Sequence, residues 1–249
     1  MIIGSNIIFY AKLDSTNTVA SSILKTCAPD EGTVIRAGFQ TAGKGQVGSR
    51  WESEDGQNML ITTILYPQKI QAADQFLVSM AISLGVSDFV SGHTQGCKIK
   101  WPNDIYVFNS KIAGILIENS VMNGAIVDCI AGIGVNINQE AFAGDAPNPV
   151  SLKQITGCSF ELDSCLNELC QRLDKRYKHL MGGAYNEIID DYNMNLYLRN
   201  EWSSFSDAQG AFTGRILSVN RSGVITIETC DNKLKKYSFK EVRFIHKYP

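Results

Sequence analysis

Apolar positions along the first three-quarters of the chain fall into short runs rich in β-branched and aromatic residues. They predict strands over 7–12, 33–39, 58–66, 98–101, 105–108, 112–118 and 126–138. Two stretches switch to helical spacing. Residues 17–25 form one, with Ser15 or Thr16 placed to cap its start. Phe76, Leu77, Met80 and Leu84 mark the other. Leu162, Leu166, Leu169, Leu173, Tyr177 and Leu180 then trace one face of an amphipathic helix, and Gly182-Gly183 is suited to end it. Turns are marked by Pro102-Asn103-Asp104, Asn109-Ser110 and the hairpin pair Asn123-Gly124. The parallel crossovers of a doubly wound sheet are not evident, so the pattern predicts an α+β fold. Its core is a mixed, largely antiparallel sheet packed with helices.

After about Arg199 the pattern changes to alternation over 212–219, 224–229 and 234–239, with Ser222-Gly223 and Asp231-Asn232 at the turns. That is a small all-β unit, too short to be a catalytic domain of its own. The division expected is a unit over 1–203 that carries the chemistry and a β unit over 204–249.

Composition narrows the class. With 44% apolar and 19% charged residues, the chain reads as an ordinary globular protein. A formal charge of −2 gives no footprint for nucleic acid. The seven cysteines have no Cys-x-x-Cys spacing, and His93, His179 and His246 form no ligand motif. Buried free thiols in a reducing compartment are expected, without a structural zinc. The N-terminal segment does not read as a signal peptide, and no apolar run is expected to reach bilayer length, so the expected location is the cytoplasm, away from any membrane.

Two segments carry chemistry. Gly43-Lys44-Gly45-Gln46-Val47-Gly48 spells the dinucleotide fingerprint, but that motif needs a following helix, and here Arg50-Trp51-Glu52 leads into another strand. A loop between strands remains, whose glycines let backbone N–H groups wrap an anion while Lys44 and Arg50 add charge and Trp51 an aromatic face. A plain surface hairpin is the bland alternative; three glycines, two cations and a tryptophan shift the reading toward a ligand lid. The second segment is Lys100-Trp101-Pro102-Asn103-Asp104, followed by Lys111-Ile112-Ala113-Gly114. A hairpin built there projects Lys111 toward whatever Lys100 and Asn103 face, and Gly114 lets a ligand approach the strand.

Taken in order, Ser15-Thr16-Asn17, Gln40-Thr41-Ala42-Gly43, Trp51 and the Lys-Trp-Pro-Asn-Asp run resemble the biotin–protein ligase family over roughly residues 7–140. The family's architecture is a class II synthetase-like catalytic fold followed by a small SH3-like β-barrel, which the C-terminal unit matches. The resemblance implies that ATP, with Mg²⁺, converts biotin to biotinyl-5′-adenylate. A lysine of a biotin carboxyl carrier protein or domain then attacks that mixed anhydride, and AMP leaves. It also implies roles for residues. Ser15, Thr16, Asn17 and Gln40 match biotin contacts, together with Gly43, Lys44, Gly45 and Gln46 of the closing loop and with Gly114. Lys111 matches a lysine beside the biotin carboxylate and α-phosphate, making Lys111 and Lys44 the catalytic candidates. Arg50, Trp51, Lys100, Asn103 and Asn136 match the nucleotide side. The metal ligands stay unassigned.

One departure stands out. Many members carry arginine where this chain has Lys44 and Gln46. Lys44 keeps the charge without the planar fork, and Gln46 loses the charge, which bears on how tightly the adenylate is held. Some relatives carry an N-terminal DNA-binding domain; with Ser15 so near the start, a ligase without DNA binding is expected. Monomers and sheet-extended homodimers both occur in the family. Two other readings compete. A lipoate–protein ligase usually has an Arg-Arg-x-Ser-Gly-Gly-Gly type segment, absent here. A non-catalytic biotin binder would not require Lys111, Gly114 and a cationic lid. A biotin carrier is disfavoured because the chain contains no Met-Lys pair.

Overall fold

The structure, a computed structural model, describes residues 1–46, 50–143 and 148–245. Val47 and Gly48 of the glycine-rich loop and His246 lie outside the described residues.

A seven-stranded sheet forms the frame. In chain order its strands are β1 (Ile7–Leu13), β2 (Val34–Gln40), β3 (Met59–Leu65), β4 (Cys97–Lys100), β5 (Asp104–Val107), β6 (Ser110–Met122) and β7 (Ala125–Val135). Across the sheet they run β1-β2-β3-β7-β6-β5-β4. Helix α1 (Thr16–Thr26) joins β1 to β2, which pair in parallel; every other neighbouring pair is antiparallel. The expected mixed, largely antiparallel sheet is what forms. Strand β6 extends to Met122, well past the predicted end at 118, because Asn123 and Gly124 both take positive φ and fold β6 tightly onto β7.

The helices lie where burial requires them. Helix α2 (Phe76–Ser91) is buried almost all round, which is why its sequence shows an apolar run more clearly than a stripe. With the short turn before it, it forms a 20-residue stretch, Ala72–Ser91, long and apolar enough to cross a membrane. The expectation that no run reaches that length is thus corrected. Most of this stretch is buried, packed against α4 (Leu162–Met181) and α5 (Tyr185–Met194), as a core helix is. Arg176 on α4 ties the three helices together. It donates to Asp88 on α2 at 2.6 and 3.0 Å and to Asp191 on α5 at 2.5 Å. Helix α4 ends before Gly182 and Gly183, and Gly183 has a φ of 90° that favours glycine. A short helix, α3 (Leu152–Thr156), is closed by a capping box between Ser151 and Gln154.

The C-terminal unit is a five-stranded antiparallel sheet. Its strands are β8 (Trp202–Asp207), β9 (Gly210–Val219), β10 (Ile225–Thr229), β11 (Leu234–Tyr237) and β12 (Arg243–Ile245), in the order β11-β10-β9-β8-β12. Its first strand begins at Trp202, ahead of the expected start at 204, and among the described residues its outer strands, β11 and β12, close no barrel. It docks on the turn between β4 and β5. Trp101, whose peptide bond to Pro102 is cis, donates its indole N–H to the Gly223 carbonyl at 3.0 Å. Asn193 exchanges two hydrogen bonds with the Val219 backbone, at 2.7 and 3.0 Å. The small sheet thereby braces the Lys-Trp-Pro-Asn-Asp segment from behind.

Candidate functional site

The start of α1 shows how local structure yields to the site. Ser15 holds the N-cap position, with extended backbone at φ −155°, yet its hydroxyl caps nothing. The capping role expected of Ser15 or Thr16 is therefore not filled by a side chain. Ser15 is 2% exposed and lines a cavity instead.

That cavity, of about 240 Å³, opens on the face where β2, β3, β6 and β7 meet the glycine-rich loop. It has three parts. A neutral polar corner comprises Ser15, Thr16, Asn17 and Gln40, backed by Thr62 on β3. Gln40 Oε1 accepts from the Thr16 backbone N–H at 2.7 Å, and Asn17 Nδ2 donates to Glu118 Oε2 at 2.7 Å. Ile61, Ile115, Leu116 and Ile133 form an apolar middle. A cationic wall at the far side carries Lys44, Arg50, Lys100 and Lys111 against one carboxylate, Asp104.

Within that wall, Lys111 Nζ lies 2.7 Å from Asp104 Oδ1 and 5.9 Å from the Trp51 ring centroid. The register of the β5–β6 hairpin sets this up, pairing Asp104 with Gly114 and Tyr106 with Lys111. Lys100 Nζ sits 4.7 Å from the Tyr106 ring centroid and 5.2 Å from that of Phe244, which arrives from the C-terminal sheet. Burial brings its ammonium down to about 8, with neighbouring Lys111 pushing the same way and Asp104 opposing.

The lid is held in part by its own backbone. Lys44 bridges Arg50, and the Trp51 N–H donates to the Gly43 carbonyl at 3.0 Å. A Cβ on Gly43 would lie 2.3 Å from the Trp51 carbonyl oxygen, so only glycine permits this closure. Gln46 Nε2 donates to Asn103 Oδ1 at 2.5 Å, joining the lid to the Lys-Trp-Pro-Asn-Asp turn, and Asn103 in turn donates to the Ile115 carbonyl. Among the described residues the loop leads to β3 with no helix between, unlike a nicotinamide fingerprint.

Thirteen of the fifteen candidate residues line this cavity. Gly43 lines an adjacent depression with Gln40, Arg50 and Trp51. Asn136 is the exception. Its side chain is 3% exposed and donates to the Val150 carbonyl at 3.1 Å, so it anchors the segment leading to α3 and does not line the cavity. Gly114 lines the cavity, and the chain's own Trp51 ring also packs on it, 2.9 Å from where a Cβ would stand. Five residues were missed, among them Asp104, which the turn reading left without a site role. A Cβ on Gly132 would stand 2.1 Å from Asn17 Oδ1, and one on Gly134 2.4 Å from the Trp51 ring. Both glycines sit on one face of β7, and glycine at alternate positions inside a β-branched run is the signal that was available. Thr62 and Glu118 carried no such signal.

A mixed sheet with a neutral polar corner and a cationic wall in one cavity, covered by a glycine-rich lid, defines the class: a ligase catalytic domain of the biotin/lipoate kind. Residues 9–138 match the Biotin/lipoate A/B protein ligase family, and the chain belongs to that family. Its relatives put it among the biotin–protein ligases. It is 29% identical to the Bifunctional ligase/repressor BirA of Bacillus subtilis (strain 168), over 95% of this chain and 74% of that protein. It is 31% identical to the Biotin--[acetyl-CoA-carboxylase] ligase of Paracoccus denitrificans, over 64% of this chain and 68% of that one. Its fold is that of the biotin protein ligase from Aquifex aeolicus in complex with biotin and ATP. The TM-score is 0.80 at 24% identity, with 97% of this chain and all of that chain covered.

Proposed function

We propose that the enzyme activates biotin with ATP to biotinyl-5′-AMP and transfers the biotinyl group to a lysine of a biotin carboxyl carrier protein. The observation that carries this reading is one cavity joining a neutral hydrogen-bonding corner, an apolar middle and a cationic wall. Biotin has a neutral cyclic urea, an apolar ring and chain, and a carboxylate, in that order. Ser15, Thr16, Asn17 and Gln40 would take the urea, while the carboxylate would reach Lys111. Arg50, Lys100 and Trp51 would face the nucleotide; the Trp51 indole N–H is buried and has no partner among the described residues.

In the first step a carboxylate oxygen attacks the α-phosphorus and pyrophosphate leaves. Charge builds on the phosphoryl oxygens there, and Lys111 is aimed at it. In the second step the uncharged carrier lysine attacks the acyl carbon, the bond to the phosphate oxygen breaks, and AMP departs. The lid over the cavity would keep water from the mixed anhydride between the two. Mg²⁺ belongs with the nucleotide. Asp104 is the carboxylate among the lining residues, and one carboxylate plus phosphate oxygens suits that ion. When bound, the metal would neutralise phosphate charge. The cytoplasm remains the proposed location, supported by seven free cysteines. The low net charge supports a ligase that does not bind DNA.

Biotin-dependent ATP–pyrophosphate exchange tests the first step, with lipoate in a parallel reaction. Exchange with biotin alone is expected. Exchange with lipoate alone would move the chain to the lipoate ligases, and binding of biotin without exchange would make it a degenerate binder.

Lys100 gives this reaction a pH signature. In the free enzyme its ammonium is charged below about 8 and neutral above, so the cationic wall weakens as pH rises through that value. The expected profile is a kcat/KM for ATP that falls above about pH 8. Lys100→Arg should move that limb out of range, because guanidinium stays charged. A profile flat to pH 9.5 in the unaltered enzyme would contradict the assignment.

A further inference from the structure

We infer that Glu118 is a positioning residue for biotin recognition, fixing the direction of a hydrogen-bond chain that ends at the cavity surface; this rests on the biotin reading above. Glu118 lies on β6 with its side chain largely exposed, yet its carboxylate reaches the buried Asn17 amide. A carboxylate can only accept, so the Asn17 Nδ2 end must face it, at 2.7 Å. That assigns Asn17 Oδ1 to the opposite side, where Thr62 Oγ1 stands 2.7 Å away. The amide has room to sit there because residue 132 is glycine.

The protons can then be followed. Asn17 Oδ1 can only accept, so the Thr62 hydroxyl donates to it. Thr62 Oγ1 is also 2.7 Å from Thr16 Oγ1, and Thr16 Oγ1 is 3.1 Å from Gln40 Oε1. Two hydroxyl protons serve three oxygen–oxygen contacts. The two shorter ones take them, so Thr16 donates to Thr62. Gln40 Oε1 is already satisfied by the Thr16 backbone N–H at 2.7 Å. Thr16 Oγ1 is left with a lone pair, and Gln40 with its amide N–H₂, at the corner where both residues line the cavity. One acceptor beside one donor is the complement of a urea, which offers N–H beside C=O. With the polarity reversed, Thr62 would donate to Thr16 and the Thr16 proton would turn to Gln40 Oε1 at 3.1 Å, leaving Thr16 one lone pair fewer to offer the urea.

The test reads KM for biotin and for ATP separately in pyrophosphate exchange, alongside biotin binding by calorimetry. Glu118→Lys replaces the acceptor by a donor at an exposed position, which leaves folding intact. KM for biotin should rise about tenfold or more, the cost of a buried unmatched hydrogen bond. KM for ATP should stay within twofold. Glu118→Gln, which can still turn an oxygen to Asn17, should restore most of the affinity. In a Thr62→Val background the hydrogen-bond chain is already cut, so Glu118→Lys should add nothing. Equal KM for biotin in Glu118→Lys and the unaltered enzyme would overturn the inference, as would an undiminished Glu118→Lys effect in Thr62→Val. Absence of biotin binding by the unaltered enzyme would instead defeat the functional reading on which it rests.

Discussion

Replacing Lys111 by alanine is expected to lower biotin-dependent pyrophosphate exchange by on the order of 100-fold or more, the effect of removing one preorganised donor from a developing oxyanion. Lys111 is held for that role by the β5–β6 hairpin, by Asp104 at 2.7 Å and by the face of Trp51, with a side chain only 20% exposed. None of these contacts is needed for the core, which is built from other residues of the same strands, Ile112, Ala113 and Ile115. The variant should therefore melt near the unaltered protein and bind biotin through the neutral corner, with the loss falling on kcat. Lys111→Arg should not rescue it, since a planar fork does not replace a compact ammonium in a cavity already lined by Asp104 and Trp51. Single-turnover formation of the adenylate separates the two effects. Exchange within twofold of the unaltered enzyme would remove Lys111 from the mechanism.

The second large effect comes from residues with no side chain. Gly132→Ala puts a methyl group 2.1 Å from Asn17 Oδ1. Asn17 cannot move aside while keeping Glu118 and Thr62, so the polar corner must break or the strand must shift. Overpacking of this kind costs about 1–3 kcal/mol. For a chain of this size that lowers Tm by roughly 2–4 °C per kcal/mol. Biotin binding should fall far more than stability does. Gly134→Ala is the contrasting case. Its methyl meets the Trp51 ring at 2.4 Å, on the side facing the cationic wall, so KM for ATP should rise while calorimetric binding of biotin persists. Normal biotin affinity in Gly132→Ala would mean that the Asn17 amide has no part in the site.

Comparison of these residues with those named from the sequence separates two kinds of information. Lys100 to Asp104 with Lys111, and the loop from Gly43 to Trp51, were legible as two local segments, and the resemblance to the family supplied their roles. A proline, a turn and a hairpin bring Lys100, Asn103 and Lys111 together, the glycines mark the earlier loop by themselves, and Ser15, Thr16 and Asn17 adjoin at one helix start. The sheet was legible for the same reason: alternation and turn pairs such as Asn123-Gly124 fix strands one hairpin at a time. The parallel pairing of β1 with β2 was not, because nothing in either strand records its partner. Helix α5 and strands β8 and β12 escaped too, since short elements with a narrow buried face leave little periodic signal.

At the cavity the sequence by itself determined which segments carry chemistry; tertiary structure decided which of their neighbours join them. Glu118 and Thr62 read as ordinary strand residues, and only the order β3-β7-β6 around α1 brings them to Asn17. Gly132 and Gly134 acquire meaning from Asn17 and Trp51, residues distant in the chain whose side chains need the space. Asn136 went the other way, drawn out of the site by the Val150 carbonyl. Ser15 was left uncapping at a helix start because the cavity, and not the helix, faces its hydroxyl. In each case the deciding contact joins elements far apart in sequence, and a pattern read along the chain holds no record of such a contact.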